Sequence, residues 1–514
     1  MMDRVLFGQG YFLRFDPKLW AAQQPYAPLG TLYAAACVRE RGYEVSLFDA
    51  MLATSQREWV EMLDRLGPRF AVLYEDSFNY LSKMCLLRMR EAALSMVGAA
   101  RKRGAHVIVA GSDATDHARV YLDGGADVVV TGEGEATLVQ VLDILSGRAA
   151  ARLEEIEGVC FVADGGLVRT RGRELIRELD GLPYPAWDLV DVEKYRRTWL
   201  KRHGYFSMNI STTRGCPYHC NWCAKPIYGQ RYTARSPESV VREIEWLEAK
   251  YRPDHLWVAD DIFGLKPGWV ERFSDLLAAR GATIPFKCLM RADGISDAVV
   301  AALRTAGCRT VWIGAESGSQ KVLDAMEKGI RVGQIRQAAA RLHEAGIEVG
   351  FFLQFGYPGE TTDDISLTLD MVRTCRPDDI GISVSYPLPG TRFYERVKTE
   401  LGAKRNWVDS EDLDLMYSGT YVPEYYRVLH AVTHADFRAR RVLEPFGRGA
   451  RPSMRSYRRR LRATVSGLWQ AARLPLLRHR LRRLSHLKSP NLVPNLVPHL
   501  SPQAAAVPTE QPGA

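Results

Sequence analysis

Thr213-Arg-Gly-Cys-Pro-Tyr-His-Cys-Asn-Trp-Cys-Ala-Lys225 sets Cys216, Cys220 and Cys223 in a Cys-x3-Cys-x2-Cys spacing. Three soft thiolates stand together with no fourth cysteine close by. A structural zinc site is closed by four ligands, so here it would need His219, inside the stretch, or His203, ahead of it. A cubane iron–sulfur cluster held by three thiolates instead leaves one iron open to a further ligand. Trp222 stands directly before the last cysteine. Either reading puts a metal centre here, and the flanking sequence has to decide between them.

Outward from the cysteines, apolar runs alternate with helical stretches. Strands are expected near 207–212, 255–260, 285–290, 310–315, 347–355 and 379–386, with helices between them such as 237–251 and 332–346. The alternation predicts an α/β fold with a parallel sheet, and the cysteines fall in the loop after its first strand. Ligands of such sheets lie beyond the carboxyl ends of the strands. The polar residues there are Asp260-Asp261, Arg291-Ala-Asp293 and Gly314-Ala-Glu316-Ser317-Gly318, then Phe355 to Glu360 and Tyr386 to Thr391. A plain alternative for a carboxylate such as Asp261 or Glu316 is a helix N-cap. No paired general acid and base of the hydrolase kind is visible.

Toward the amino terminus the same alternation recurs. Val5-Leu-Phe, Tyr43 to Asp49, Phe70-Ala-Val-Leu-Tyr, Val107-Ile-Val-Ala-Gly and Val128-Val-Val-Thr-Gly read as strands, with helices from Leu29, from about Leu81 and from Glu135. This predicts a doubly wound sheet over 1–150 with loops 74–80, 110–115 and 132–137 at its ligand-binding end. No Gly-x-Gly-x-x-Gly follows the first strand, which weighs against a dinucleotide. Residues 151–200 read as a linker. A hairpin is expected around Asp164-Gly-Gly, and Gly181-Leu-Pro-Tyr-Pro-Ala-Trp is extended because its prolines restrict the preceding residues.

The cysteine stretch resembles the radical S-adenosylmethionine (SAM) superfamily, whose signature has this spacing and this aromatic residue. Residues 1–150 look like the cobalamin-binding domain fused to many of its members, through Pro28-Leu-Gly-Thr-Leu-Tyr33, Arg39-Glu-Arg-Gly-Tyr-Glu-Val and Gly132-Glu-Gly-Glu. The resemblance implies a Rossmann-like cobalamin domain followed by a partial (β/α)6 barrel over 201–423. It also implies a [4Fe-4S] cluster on Cys216, Cys220 and Cys223, whose open iron chelates SAM and cleaves it to a 5'-deoxyadenosyl radical. Among cofactor contacts it implies Trp222 beside the cluster, Glu316 and Ser317 facing the SAM ribose or carboxylate, and Arg291 as a carboxylate clamp. Asp260 or Asp261 would meet the amino group, although the family's usual Gly-Gly-Glu run is Ala259-Asp260-Asp261 here. The Asp-x-His-x-x-Gly loop that gives other cobalamin proteins a histidine on cobalt is absent, since His106 and His117 have the wrong neighbours. The implied corrinoid therefore carries no protein histidine. The implied function is methylation of an unactivated carbon in a small, hydrophobic substrate, with a flavodoxin or ferredoxin as electron donor. A radical oxidative cyclase shares both domains and is the second enzyme reading; a corrinoid or cluster sensor is a non-catalytic third. A domain at 1–150 that binds nothing is the plain alternative. A methylthiotransferase is disfavoured, because the first half lacks a second set of three cysteines.

The chain has 514 residues and nine cysteines. Its length predicts two or three domains. Cys37, Cys85, Cys160, Cys288, Cys308 and Cys375 are scattered singly in apolar surroundings, as small buried residues rather than a disulfide framework. With no signal-peptide pattern and no run of about 18 apolar residues, the expected location is the reducing cytoplasm. The net charge of +9 is local: no acidic residue lies between Glu444 and Glu510, while 13 Arg and Lys fall between Arg448 and Lys488. Residues 424–446 are expected to form a helical cover, and 447–514 a basic tail, disordered over 489–514. Basic residues interleaved with Leu and Trp suit peripheral contact with an anionic membrane. Sparse stacking aromatics make nucleic acid the poorer partner.

Overall fold

The computed structural model describes residues 3–442 and 454–487, apart from residues 85, 226, 403 and 405. Cys85 and residues 489–514, for which burial and disorder are expected above, lie outside the described residues. Cys160, Cys288 and Cys308 are buried free thiols, and Cys37 and Cys375 are partly buried ones.

The first sheet contains β1 (Arg4–Gly8), β2 (Glu44–Leu47), β3 (Phe70–Tyr74), β4 (His106–Ala110), β5 (Val128–Val130), β6 (Val159–Ala163) and β7 (Gly166–Arg169). Their order is β2-β1-β3-β4-β5-β6-β7. The first five are parallel, in the doubly wound 2-1-3-4-5 order that leaves a ligand crevice at the carboxyl ends. Every residue of β3 is buried because helices cover both faces, as a continuous apolar run requires. Residues 159–169, assigned to the linker by sequence, are instead the antiparallel edge of this sheet. Their turn is the expected one: Asp164 and Gly165 both take left-handed φ, 50° and 76°, as a two-residue hairpin turn demands.

The connector then packs on both halves. Ala186 N–H donates to Leu32 O at 3.1 Å, and the Tyr184 ring lies tilted against Trp246. The helix Val192–His203 buries Trp199, whose indole N–H donates to Pro25 O at 2.7 Å.

The second sheet contains β8 (Ser207–Ile210), β11 (His255–Val258), β12 (Phe286–Met290), β13 (Cys308–Glu316), β14 (Glu348–Phe355) and β15 (Asp379–Val384). All six are parallel, in the order β15-β14-β13-β12-β11-β8, and the sheet curls into a half-barrel. Burial alternates along β12, β13 and β15, so one face packs on helices and the other does not. Between β8 and β11, β9 (Thr213–Arg214) pairs antiparallel with β10 (Thr233–Ala234) and pins both ends of the cysteine loop.

The helix Pro423–Val442 lies against β15 and the helix Thr362–Cys375. A last helix, Met454–Leu484, packs along it. This part of the basic tail is therefore ordered: Leu474 and Leu484 are buried, and Arg478 donates to Asp436 at 2.6 Å. No helix among the described residues is long and apolar enough to cross a membrane.

Candidate cofactor site at the strand ends

The cysteine loop is held in shape before any ligand is considered. Gly215 has φ +77°, and a Cβ there would stand 2.2 Å from Arg231 O, so the position admits only glycine. Asn221 ties the loop to the barrel rim. Its N–H donates to Met326 O at 3.0 Å, its side-chain amide donates to Ala325 O at 2.8 Å, and its carbonyl accepts from Phe393 N–H at 3.0 Å. Tyr357 donates its hydroxyl to Asn221 Oδ1 at 3.0 Å. Trp222 packs against the Tyr357–Phe393 cluster with its buried indole N–H unpartnered.

The three thiols are unpaired and partly exposed. Burial pushes the Cys223 thiol up to about 12, while Lys225 opposes the shift and Cys220 and Cys216 add to it. Ligation must therefore displace protons. Among the described residues no three His, Cys, Asp or Glu side chains converge on a point suited to one metal ion. His203 is bound to Ala22 O and Gln23 O and packs on Trp199 and Tyr205, away from the thiols. His219 is exposed. The donor set fits a cluster.

The remaining sequence candidates divide. Asp260 is buried and turned inward: Thr212 and Thr213 N–H groups donate to its Oδ1 at 2.7 and 3.0 Å, and the Thr212 hydroxyl donates to Oδ2. Burial pushes its pKa up to about 6 against those hydrogen bonds. It positions the strand that leads into the cysteine loop. Asp261 pairs with Lys83 of the first domain. Ser317 is committed to Thr368 Oγ1 at 3.0 Å and to Ser319 N–H at 3.1 Å, and Gly318 allows the helix Thr362–Cys375 to come close.

Glu316, Arg291 and Trp222 do come together, through a residue that the sequence did not single out. Lys328 donates to Glu316 Oε1 at 2.9 Å and lies 5.9 Å from the centre of the Trp222 ring. Burial works against its charge, and Glu316 and Cys220 outweigh that cost. Arg291 grips Asp293 with two nitrogens at 3.0 and 2.9 Å, donates to Lys328 O at 2.9 Å, and stacks 3.5 Å over Tyr218. Two cations thus flank the thiol loop. Glu316 takes a left-handed φ of 56°, and Gly314 leaves room for the Glu316–Lys328 pair. Backbone strain in a buried charged residue is common at functional sites.

The carboxyl ends of the first sheet face this loop. Arg214, two residues before Cys216, is buried against Glu133 and Glu135, the latter at 2.8 Å, with Tyr33, Phe78 and Tyr228 around its guanidinium. The Gly132-Glu-Gly-Glu wording therefore serves the junction of the two domains. Ser77 and Tyr228 hydroxyls meet across the same junction at 2.6 Å. Tyr80, 58% exposed, stands in the cleft between the halves. It lies near enough to Cys223, Glu316 and Asp261 to feel their charges. His106 opens β4 at its amino end, remote from the crevice, and His117 lies 3.9 Å from Asp113.

Residues 210–372 match the family model described as the Radical SAM superfamily. The chain carries a radical SAM domain. It is 30% identical over 285 residues to an uncharacterized methyltransferase of Pyrococcus horikoshii, covering 55% of this chain and 60% of that one. It is 26% identical over 328 residues to the anaerobic magnesium-protoporphyrin IX monomethyl ester cyclase of Synechocystis, covering 62% of each. The chain thus spans less than two thirds of either relative. The radical SAM methyltransferase TsrM of Kitasatospora setae, solved with cobalamin and a [4Fe-4S] cluster, superposes with a TM-score of 0.63 at 20% identity, covering 77% of this chain and 78% of that one. That likeness establishes the two-domain α/β architecture.

Proposed function

We propose that this protein is a cobalamin-dependent radical SAM enzyme that transfers a methyl group to an unactivated carbon. The observation that carries the reading is the junction itself: the crevice end of the doubly wound sheet is locked by Arg214 onto the loop that bears the three cysteines. A corrinoid in that crevice and a cluster on that loop would share one cleft. When bound, the reduced cluster supplies a carbon radical from SAM, and the corrinoid supplies the methyl group.

The chain's own residues do the rest. Cys216, Cys220 and Cys223 hold the cluster, and Asn221 and Asp260 fix the geometry of their loop. Arg291 and Lys328 offer positive charge to the SAM carboxylate beside it, a role to which a forked guanidinium is suited. Glu316 is placed to accept from the amino group or ribose. Tyr80 and Lys83 reach across from the first domain and narrow the cleft, which limits water around reactive species. The cluster needs an electron donor of the flavodoxin or ferredoxin class. The outward face of the helix Met454–Leu484 suits an anionic membrane surface.

Similarity to the cyclase keeps a second radical outcome in view. SAM carrying an isotopically labelled methyl group separates the two. Transfer puts the label in product and brings S-adenosylhomocysteine and deoxyadenosine toward equal amounts. Label retained wholly in methionine, with a product lighter by hydrogens, hands the case to cyclisation.

A further inference from the structure

The inner face of the half-barrel is built to receive something. Its helix-facing side is closed by residues such as Val311, Ile313, Val349 and Phe351, all fully buried. On the other side Trp312 and Phe352 stack at 4.7 Å between centroids and 28° between planes. Phe352 stands on β14, inside the sheet, yet is 39% exposed. Two glycines set these rings flat. A Cβ on Gly350 would come 2.3 Å from Trp312, and one on Gly381 would come 3.0 Å from Phe352. An open aromatic floor on a central strand is an unusual use of apolar surface, and such surface marks binding sites.

The same face carries a cation. Lys287 Nζ lies 4.7 Å from the Trp257 ring centre and 5.3 Å from that of Tyr26. No carboxylate stands within ion-pair distance of it among the described residues, although Asp379 acts on it from farther off. Burial pushes its pKa down to about 8. Ring faces attract an ammonium but do not neutralise it. An anion brought into this space would supply the missing partner.

We propose that this face is the substrate chamber and that it takes an amphiphile: a flat, apolar body on Trp312 and Phe352, with one anionic group at Lys287. Lys287 precedes Arg291, at the rim beside the cysteine loop, by four residues, or roughly 13 Å of strand. The anion and the reacting carbon of the substrate are therefore about that far apart. The inference deepens the function proposed above, because it rests on the barrel being the reaction chamber.

Calorimetric titration of reconstituted full-length protein with 1-pyrenebutyrate and with its neutral analogue 1-pyrenebutanol tests it without turnover. The acid should bind at least tenfold more tightly than the alcohol. Lys287→Met should abolish that preference and leave the alcohol unchanged, Lys287→Arg should keep it, and Phe352→Asp should weaken both probes. Equal binding of acid and alcohol to the wild type, a preference that survives Lys287→Met, indifference to Phe352→Asp, or no binding of either probe would each overturn the proposal. Circular dichroism melts of the variants separate lost binding from lost fold. None of these results touches the labelled-methyl experiment, so the chamber and the reaction stand or fall separately.

Discussion

The two sheets of this protein use the same strand–helix alternation to opposite ends. In the first, β3 and β4 are apolar on both sides, and two separate clusters fill its two faces: Phe70 and Val72 belong to one, Ala71 and Leu73 to the other. In the second, the helix-facing side of β12, β13 and β14 is filled, while on the other Phe352 is exposed and Trp312 and Lys287 are only half-buried. A sheet covered on both faces can offer a ligand only its end, so its function is confined to the loops after the strands. A half-barrel offers its end and its concave face together. The first sheet therefore reads as a platform and the second as a chamber, with Arg214 holding the mouth of one to the rim of the other.

The sharpest way to separate platform from chemistry is to remove the cysteines. Cys216→Ala, Cys220→Ala or Cys223→Ala should each abolish deoxyadenosine production, because each takes one thiolate from a set of three. The loop's own supports, Asn221 and Asp260, remain, so melting temperature should stay close to wild type. Full iron content and deoxyadenosine formation in any of the three would remove the cluster from this loop.

A smaller effect tests the two faces directly. Ile313 and Phe352 lie on adjacent strands, with Ile313 opposite Phe351 in register. Ile313→Asp buries an unpaired charge among helices and should cost roughly 3–5 kcal/mol. Phe352→Ser removes a half-open ring and its stack on Trp312, at about 1 kcal/mol. Urea unfolding of the two variants measures both. Similar losses would mean that the inner face is as packed as the outer, and the contrast between the sheets would collapse.

The strands of both sheets were legible because a run such as Phe70-Ala-Val-Leu-Tyr has few other uses. The hairpin was legible because Asp164-Gly165 can hold two consecutive left-handed residues. That it extends the first sheet was not, since strand partners are chosen by tertiary contacts that no local pattern records. The spacing of the cysteines marked a candidate metal site but by itself left zinc and cluster both open. Asp260 was not assignable: an aspartate after a strand can cap, bind or brace, and its partners Thr212 and Thr213 lie far back in the sequence. Tyr80 closes the loop 74–80 expected at the ligand-binding end, but Lys328 carries no local signal, since it matters only through what folding brings beside it. Lys287 did leave a trace, a charge in the middle of Phe286-Lys-Cys-Leu-Met, which marks a strand with one face uncovered.

The helix Met454–Leu484 repeats the contrast between a filled face and an open one on a smaller scale. Leu474 and Leu484 are buried, while Val465, Leu468, Trp469 and Leu476 recur at helical spacing on the outside; Trp469 is 56% and Leu476 72% exposed. Arg473 lies over the Trp469 ring at 4.2 Å, so charge and apolar surface are presented together. Deleting the whole tail is a poor test of membrane contact, because it would also strip Arg478 from Asp436 and Leu474 from the core. Trp469→Ser with Leu476→Ser touches only the outer face. Losing on the order of 1.4 kcal/mol of apolar burial should lower partition onto phosphatidylglycerol vesicles about tenfold, with melting temperature and deoxyadenosine production unchanged. High salt should weaken wild-type binding as well, since the basic residues contribute through a screened surface potential. Equal sedimentation of wild type and double variant with the vesicles would show that this open face, unlike the inner face of the barrel, is merely solvated.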